Sequence, residues 1–192
     1  MTTTTNKKDY DVIVVGGGAA GLGVSIALSH AGIEDFIVLE RHVVGASFAL
    51  WPAETRFITP SFPTNSTGML DLNSIAIGVS PAYSLEVEHP TGPEYALHLQ
   101  GVASYFQLPI QENTEVKRVT KIGDEFVVDT TDDTLRAKHV IWAAGEFQYP
   151  RVTSDTLGGT ELCLHNSRVR SWAKLPGDEF VIIGGCVASG LS

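Results

Sequence analysis

The residues with the clearest chemical signature are three glycines near the amino terminus and a glutamate that follows them. Gly16, Gly18 and Gly21 form a G-x-G-x-x-G pattern, and Glu40 lies nineteen residues after Gly21. The first glycine permits a tight turn, the second lets backbone amides approach a pyrophosphate, and the third lets a helix pack against a strand. A carboxylate at this distance can accept hydrogen bonds from both hydroxyls of an adenosine ribose. The spacing therefore indicates a dinucleotide site.

The elements that must position these residues are also predicted by the sequence. Val12–Val15 is a continuous apolar run, typical of a parallel strand that is buried on both faces. A helix over Ala19–His30 would direct its positive end at the phosphates, and Gly32 suits the end of that helix. A second strand, Phe36–Leu39, ends at Glu40. The alternative, a small-residue packing site without a ligand, is less favoured because strand, motif, helix, strand and acid occur in register.

Both NAD and FAD use this pattern, and the next part of the chain favours FAD. A long polar and aromatic loop over 45–69 stands where a simple NAD-binding fold would proceed to its next helix. A helix is then expected from about Pro93, because an apolar face recurs at helical spacing. That face consists of Tyr95, Leu99, Val102 and Phe106.

An antiparallel meander is expected across 115–137, with turns at Gly123-Asp124 and Asp132-Asp133. It is followed by a buried strand, His139–Ala143, in which Trp142 is expected to be a core residue. Together these segments predict an α/β fold, a Rossmann-like FAD-binding domain with a parallel sheet and an antiparallel β-meander.

Composition excludes several classes of function. The 192 residues have a net charge of −9, which disfavours binding to nucleic acid because phosphates would be repelled. No apolar run reaches the roughly 18 residues that a membrane span needs, and the opening "MTTTTNKKDY" is not a signal peptide. The two cysteines, Cys163 and Cys186, form no CxxC pair. We therefore expect a soluble cytoplasmic protein.

Other catalytic chemistries find little support. Three G-x-S segments lack the strand and helix that flank a nucleophile elbow, which disfavours a hydrolase. The six histidines include no metal-binding spacing, so no metal site is expected.

In combination, these motifs resemble the two-dinucleotide-fold flavoproteins: thioredoxin-reductase-like enzymes, flavin-containing monooxygenases and the bacillithiol-disulfide-reductase branch. Within these, the chain is most similar to small flavin-containing monooxygenases with a "GxSFxxWPxxTRxITPSF" stretch, matched from Gly45 to Phe62. The resemblance covers about residues 10 to 185 and implies a set of FAD-contacting residues. These are Gly16, Gly18, Gly21, Glu40, Arg41, Ser47, Trp51, Val116, Ala144 and Gly145.

Each part of the dinucleotide has expected partners within this set. The three glycines and Glu40 would hold the ADP half, with Arg41 beside the adenosine and the backbone of Val116 at the adenine. Ser47 and Trp51 would lie near the pyrophosphate or the flavin. The "AAG" turn that ends at Gly145 matches the family's "ATG", with Ala144 in place of the usual threonine.

The resemblance also implies a domain order. We expect a flexible tail at 1–9, an FAD-binding domain at 10–150, a linker at 151–178 and the start of an NAD(P)H-binding domain at 179–192. Phe180–Ile183 would be the first strand of that second domain. The spacing between Gly185 and Ser189 departs from the family's glycine motif, and we expect the chain to be truncated there.

The leading hypothesis is an FAD-dependent NAD(P)H oxidoreductase, monooxygenase-like or disulfide-reductase-like, represented by its FAD-binding half. Its partners would be a small-molecule acceptor and either a second copy or a chain that completes the fold. No catalytic side chain is assigned, and the isolated chain is expected to oxidise NAD(P)H negligibly. A non-catalytic nucleotide-binding remnant or split subunit, and a minimal NAD-dependent dehydrogenase, remain open as alternatives.

Overall fold

A computed structural model of the protein describes residues 8–62, 71–146, 149–150, 152 and 158–184. The expected amino-terminal tail up to residue 7, the end of the long loop, Cys186 and the glycine motif from Gly185 lie outside the described residues. The helices are α1 (Ala19–His30), α2 (Ala46–Ala49), α3 (Pro81–Leu85) and α4 (Gly92–Tyr105). The strands are β1 (Asp9–Val15), β2 (Phe36–Leu39), β3 (Ile110–Gln111), β4 (Val116–Ile122), β5 (Glu125–Thr130) and β6 (Thr134–Trp142). Three short 3-10 helices follow, at Thr160–Leu162, Asn166–Arg168 and Trp172–Lys174.

The six strands form one sheet in the order β3-β2-β1-β6-β5-β4. β1 pairs in parallel with β2 on one side and with β6 on the other, while β5 pairs antiparallel with both β6 and β4. This mixed sheet confirms the predicted fold class. The bounds of α1 and β2 are those expected from the sequence.

The parallel strands are buried because apolar side chains project from both of their faces. Ile13 and Leu39 belong to a core that also receives Val128 of the meander. On the opposite face, Val14 and Val38 belong to a second core, against which Leu28 of α1 packs. The end of β1 is therefore fixed from both sides, which gives the turn that follows it a rigid base.

Helix α4 packs against α1, α2 and α3, and it is well defined at its start. The Thr91 hydroxyl accepts from the Glu94 amide at 3.3 Å, and the Glu94 carboxylate accepts from the Thr91 amide at 2.7 Å. This capping box also lowers the pKa of Glu94, because the carboxylate accepts hydrogen bonds from the Thr91 amide and hydroxyl. The expected apolar face is confirmed at Tyr95, Leu99 and Val102, which are all buried.

Three expectations differ from the structure. The meander's last strand and His139–Ala143 are one continuous strand, β6, whose first part pairs with β5 and whose longer part pairs with β1. Trp142 is not a core residue: it ends that strand with 64% of its surface exposed. Phe180–Ile183 forms no strand, and all four of its side chains are exposed. No described strand pairs with this segment, and an apolar sequence needs a neighbour to form a sheet.

Candidate dinucleotide site at the carboxyl edge of the sheet

The turn between β1 and α1 is closed by contacts between backbone atoms. Gly16 has a φ of 110°, and a Cβ added there would lie 2.8 Å from the carbonyl carbon of Ala143. A Cβ added at Gly21 would collide with the carbonyl oxygen of Gly16. Gly16 and Gly21 are therefore required by packing, because larger residues would separate α1, β1 and the end of β6.

Gly18 occupies a different environment, although it belongs to the same motif. A Cβ added there would meet no atom within 4 Å, and its φ of −87° and ψ of −172° are open to any residue. Gly18 is also the N-cap of α1, where no side chain caps the first amides of the helix. The start of α1 therefore faces open space with free donors and a positive helix end, which suits a phosphate group.

Glu40 is held at the edge of the sheet directly after β2. One carboxylate oxygen accepts from the Gly17 amide at 2.7 Å, and the other accepts from the His42 amide at 2.8 Å. The Glu40 backbone donates to Gln111 and accepts from Thr114, so the residues after β3 support it. Since Gly17 lies inside the glycine turn, these bonds place the carboxylate beside that turn. The predicted position of Glu40 at the carboxyl edge is confirmed.

Arg41 lies next to Glu40 and faces two neighbouring segments. Its Nη1 atom donates to the hydroxyl of Tyr149 at 3.4 Å, and its guanidinium carbon lies 6.0 Å from the centre of the Tyr149 ring. The pKa of Glu115 is lowered mainly by the hydrogen bond from Lys117, with smaller contributions from Arg41 and His42. Val116 follows Glu115 directly and begins β4, and its predicted contact with the adenine stays a prediction.

Ala144 and Gly145 border the glycine turn from the β6 side. A Cβ on Gly16 would lie 3.0 Å from the Cα of Ala144, and Gly145 has a φ of 86°. The preceding amide, that of Ala143, donates to the Val15 carbonyl at 2.8 Å. The backbone approaches closely here, so a small residue at position 144 fits the site.

Ser47 and Trp51 lie on and just after α2, which packs against α4 rather than against β1. Ser47 is exposed. Trp51 is half-buried, and its ring lies 5.2 Å from that of Phe57 and 5.3 Å from that of Phe48. A Cβ on Gly92 would lie 2.8 Å from the Cβ of Trp51, so the tryptophan also packs against the start of α4. The structure thus gives Trp51 a packing role in addition to the predicted contact with the dinucleotide.

A cluster of contacts that the sequence did not indicate joins Glu54 to the segment 165–175. The Glu54 carboxylate accepts from the Ser171 hydroxyl at 2.5 Å, from the Trp172 amide at 2.9 Å and from the Ala173 amide at 3.4 Å. These bonds, led by that from Ser171, lower the pKa of Glu54 to about 2. Nearby, the Arg170 carbonyl accepts from the Ala53 amide at 3.0 Å. No residue spacing in the sequence indicated this contact, because its partners lie 117 to 119 positions apart.

A buried polar cluster beside α4 was also missed. The Asp71 carboxylate accepts from the Ser80 hydroxyl at 2.5 Å and from the Asn73 amide at 2.9 Å. The Nδ1 atom of His98 lies 2.6 Å from the Ser84 hydroxyl, while no described residue bonds its buried Nε2 atom. Burial lowers the pKa of His98, against an opposing contribution from Asp71. A buried polar cluster of this kind fixes the path of a loop where its polar groups have hydrogen-bond partners.

The described parts of the chain lack both a metal-binding cluster and a membrane-spanning helix. They contain no group of three or more His, Cys, Asp or Glu side chains arranged to hold a metal ion. Among the helices of those same parts, none has the length and apolarity needed to cross a bilayer.

Comparison with curated proteins shows a consistent set of relatives. The chain is 29% identical over 180 residues to the uncharacterized oxidoreductase CzcO of Bacillus velezensis, which covers 92% of this chain and 49% of the relative. It is 30% identical over 148 residues to the Baeyer-Villiger monooxygenase ATR8 of Stachybotrys chlorohalonatus, covering 74% of this chain and 22% of that protein. The chain spans about half the length of its Bacillus relatives.

Solved structures with the same fold include reductases and monooxygenases. The bacillithiol disulfide reductase Bdr (YpdA) from Staphylococcus aureus superimposes with a TM-score of 0.62 and 25% identity, over 72% of this chain and 39% of the reductase. An oxidized steroid monooxygenase bound to NADP superimposes with a TM-score of 0.55 and 26% identity, over 71% of this chain and 26% of that enzyme.

The sequence model of one family accounts for nearly the whole chain. The model for pyridine nucleotide-disulphide oxidoreductases matches residues 13–189, a range that begins in β1 and includes the glycine turn, Glu40, α4 and the meander. The predicted resemblance is confirmed by this match. The relatives also agree with the predicted cofactor, since a protein of Penicillium canescens is named FAD-dependent monooxygenase olcE. The chain belongs to the pyridine nucleotide-disulphide oxidoreductase family.

Proposed function

We propose that this chain provides the FAD-binding part of an NAD(P)H-dependent flavin oxidoreductase. The observation that carries the proposal is the position of Glu40, whose carboxylate lies within 2.7 Å of the Gly17 amide at the edge of the glycine turn. A ribose acceptor, a close-packed turn and an uncapped helix start meet at one place. This is the combination of groups that an adenosine diphosphate moiety needs.

The residues present fit FAD in charge and shape. The open space at Gly18 leaves room for a pyrophosphate, and the amides at the start of α1 can donate to it. Glu40 offers both carboxylate oxygens at the surface of the sheet edge, where two ribose hydroxyls can replace or share its present donors. Bound FAD would supply the redox chemistry, in which NAD(P)H reduces the flavin and electrons then leave to an acceptor.

The other predicted residues have assigned places in this proposal. Arg41 and the backbone of Val116 would border the adenosine, while Ala144 and Gly145 would border the pyrophosphate from the β6 side. Ser47 and Trp51 would face the flavin half from α2 and the loop that follows it. The name of one relative, an FAD-dependent monooxygenase, supports FAD as the ligand. A structural neighbour, a monooxygenase bound to NADP, supports NAD(P)H as the reductant.

The proposal is tested by titrating the purified chain with FAD and comparing two glutamate variants. Glu40→Ala should weaken FAD binding by about 1–3 kcal/mol, because a charged hydrogen-bond acceptor for the ribose is removed. Glu34→Ala is the matched control, since Glu34 is an exposed acid that precedes the same strand at its opposite end. If the wild-type chain does not bind FAD, or if both variants bind it as the wild type does, the proposed site is wrong.

The same preparation distinguishes an oxidoreductase from a chain that only binds a nucleotide. A yellow protein with a flavin absorption band would separate FAD binding from the colourless NAD complex of a minimal dehydrogenase. Stopped-flow mixing of the FAD-loaded chain with NADPH then measures reduction of the flavin. A rate above that of free flavin indicates that the chain is a functional oxidoreductase by itself, whereas the rate of free flavin is the result expected of a chain that provides only the FAD-binding part.

A further inference from the structure

Arg41 and Tyr149 form a contact that neither the glycine motif nor the family resemblance indicates. The Nη1 atom of Arg41 donates to the Tyr149 hydroxyl at 3.4 Å, and the guanidinium lies 6.0 Å from the ring centre. Tyr149 is 82% exposed, so most of its ring surface is free to meet another group. An exposed tyrosine near a site for a flat aromatic ligand therefore needs an explanation.

The sheet order shows what this contact encloses. Arg41 follows β2, Tyr149 follows β6, and these two strands flank β1. Adjacent strands lie about 4.8 Å apart, so the two segments start roughly 10 Å apart. Their contact brackets the carboxyl end of β1, where the turn from Gly16 to Gly18 begins. It thus lies at the edge of the proposed dinucleotide site, on the side of Glu40.

The orientation of Arg41 is set by further neighbours. Its Nε donates to Nε2 of His42 at 3.2 Å, and its charge lowers the pKa of Glu115 as a smaller contribution beside that of Lys117. The guanidinium is therefore held between the sheet edge and the Tyr149 ring. Guanidinium and phenol groups are planar, and both stack on purine bases.

We propose that Tyr149, oriented by Arg41, contacts the adenine ring of the bound dinucleotide and closes the adenosine end of the site. The inference rests on the proposed function, because it requires FAD to bind with its ribose at Glu40. It assigns a specificity role to a residue beyond the glycine motif: Tyr149 would favour dinucleotides with an adenine over flavins that lack one.

Calorimetric titration of three variants with FAD, ADP and FMN tests this role. Tyr149→Ala should weaken binding of FAD and of ADP about tenfold each, because both ligands carry the adenine that would lose its stacking partner. Tyr149→Phe should stay within about threefold of the wild type, since the ring is kept. Tyr105→Ala is the matched control: Tyr105 is 79% exposed at the end of α4, and its removal should leave all affinities unchanged.

Each outcome bears on one of the two proposals. If the wild-type chain binds neither FAD nor ADP, the proposed function fails and this inference fails with it. If the wild type binds both and Tyr149→Ala binds them equally well, only the role of Tyr149 is wrong. The same conclusion follows if Tyr149→Ala weakens the binding of FAD but not that of ADP, or weakens the binding of FMN as much as that of FAD. It also follows if Tyr149→Phe loses as much affinity as Tyr149→Ala. Circular dichroism confirms that each variant is folded.

Discussion

The turn after β1 and the contact between Glu54 and the segment 165–175 hold the chain in different ways. In the turn, backbone atoms of Gly16 and Ala143 occupy the space where side chains at positions 21 and 16 would stand. At Glu54, one exposed carboxylate collects three donors from a segment more than a hundred residues away. The first arrangement is steric and rigid, whereas the second depends on charge and is open to solvent.

The difference shows which substitutions each of the two regions can accept. The turn tolerates no added atom at Gly16 or Gly21, yet it leaves Gly18 in open space. Packing therefore explains two of the three glycines, whereas the role proposed for the third is to leave room for the pyrophosphate. The Glu54 contact has no such steric requirement. Its loss should therefore release the segment 165–175 and leave the sheet intact.

Gly21→Ala should have the largest effect. The added methyl group would collide with the Gly16 carbonyl, so α1 must move away from β1. We expect a loss of roughly 3 kcal/mol or more in the free energy of unfolding, measured by urea denaturation. Gly101→Ala is the control, because a methyl group there would meet no atom within 4 Å. Equal stability of the two variants would contradict the steric account of the turn.

Gly18→Leu should separate folding from binding. Its side chain would enter open space in the protein but would occupy the position of the pyrophosphate. Leucine is a poorer N-cap than glycine, so we expect the free energy of unfolding to fall, but by no more than about 1 kcal/mol. FAD affinity should fall by at least about tenfold, which corresponds to about 1.4 kcal/mol. A variant as strongly destabilised as Gly21→Ala, or one that binds FAD normally, would show that the role assigned to Gly18 is wrong.

Glu54→Ala should have the smallest and most local effect. The amides of Trp172 and Ala173 would lose their acceptor, and we expect their hydrogen exchange at neutral pH to accelerate by about tenfold. The exchange of β1 should be unchanged. Glu161→Ala, which removes an exposed acid from the nearby 3-10 helix Thr160–Leu162, is the control and should alter neither. Acceleration throughout the sheet would show that the contact supports the whole fold.

The same contact should have a defined pH dependence. Because hydrogen bonding lowers the pKa of Glu54 from 4.5 to about 2, its carboxylate stays ionised in the folded protein well below pH 4.5. The contact contributes fully above the pKa of the unfolded chain and is lost as the pH falls through about 2. Protection of the Trp172 and Ala173 amides at pH 4, followed by its loss near pH 2, would confirm this. Loss of protection already near pH 4.5 would contradict it.

The sequence was most informative where local pattern and burial agree. Helix α1 and strand β2 have the predicted bounds, because the glycine motif, the apolar runs and Glu40 define them within thirty residues. The position of Glu40 at the sheet edge follows from the same register. These features depend on neighbours in sequence, so composition and spacing suffice to predict them.

The remaining features depend on segments that meet only after folding. The partners Arg41 and Tyr149 lie 108 positions apart, and nothing in either segment marks the contact. Trp142 ends β6 with most of its side chain exposed, although an apolar strand sequence indicates burial. Phe180–Ile183 has the composition of a strand without a described neighbour to pair with. Local pattern cannot specify these long-range contacts.

Strand β6 has a consequence for how the protein comes apart. Its residues pair with the meander strand β5 at one end and with β1 over most of its length, so the same backbone belongs to both substructures. If the meander were separated from the parallel strands, β6 could remain with only one of them. Either β1 would lose β6 as its partner on one side, or β5 would lose it. We therefore expect the meander and the parallel strands β1 and β2 to unfold as one cooperative unit.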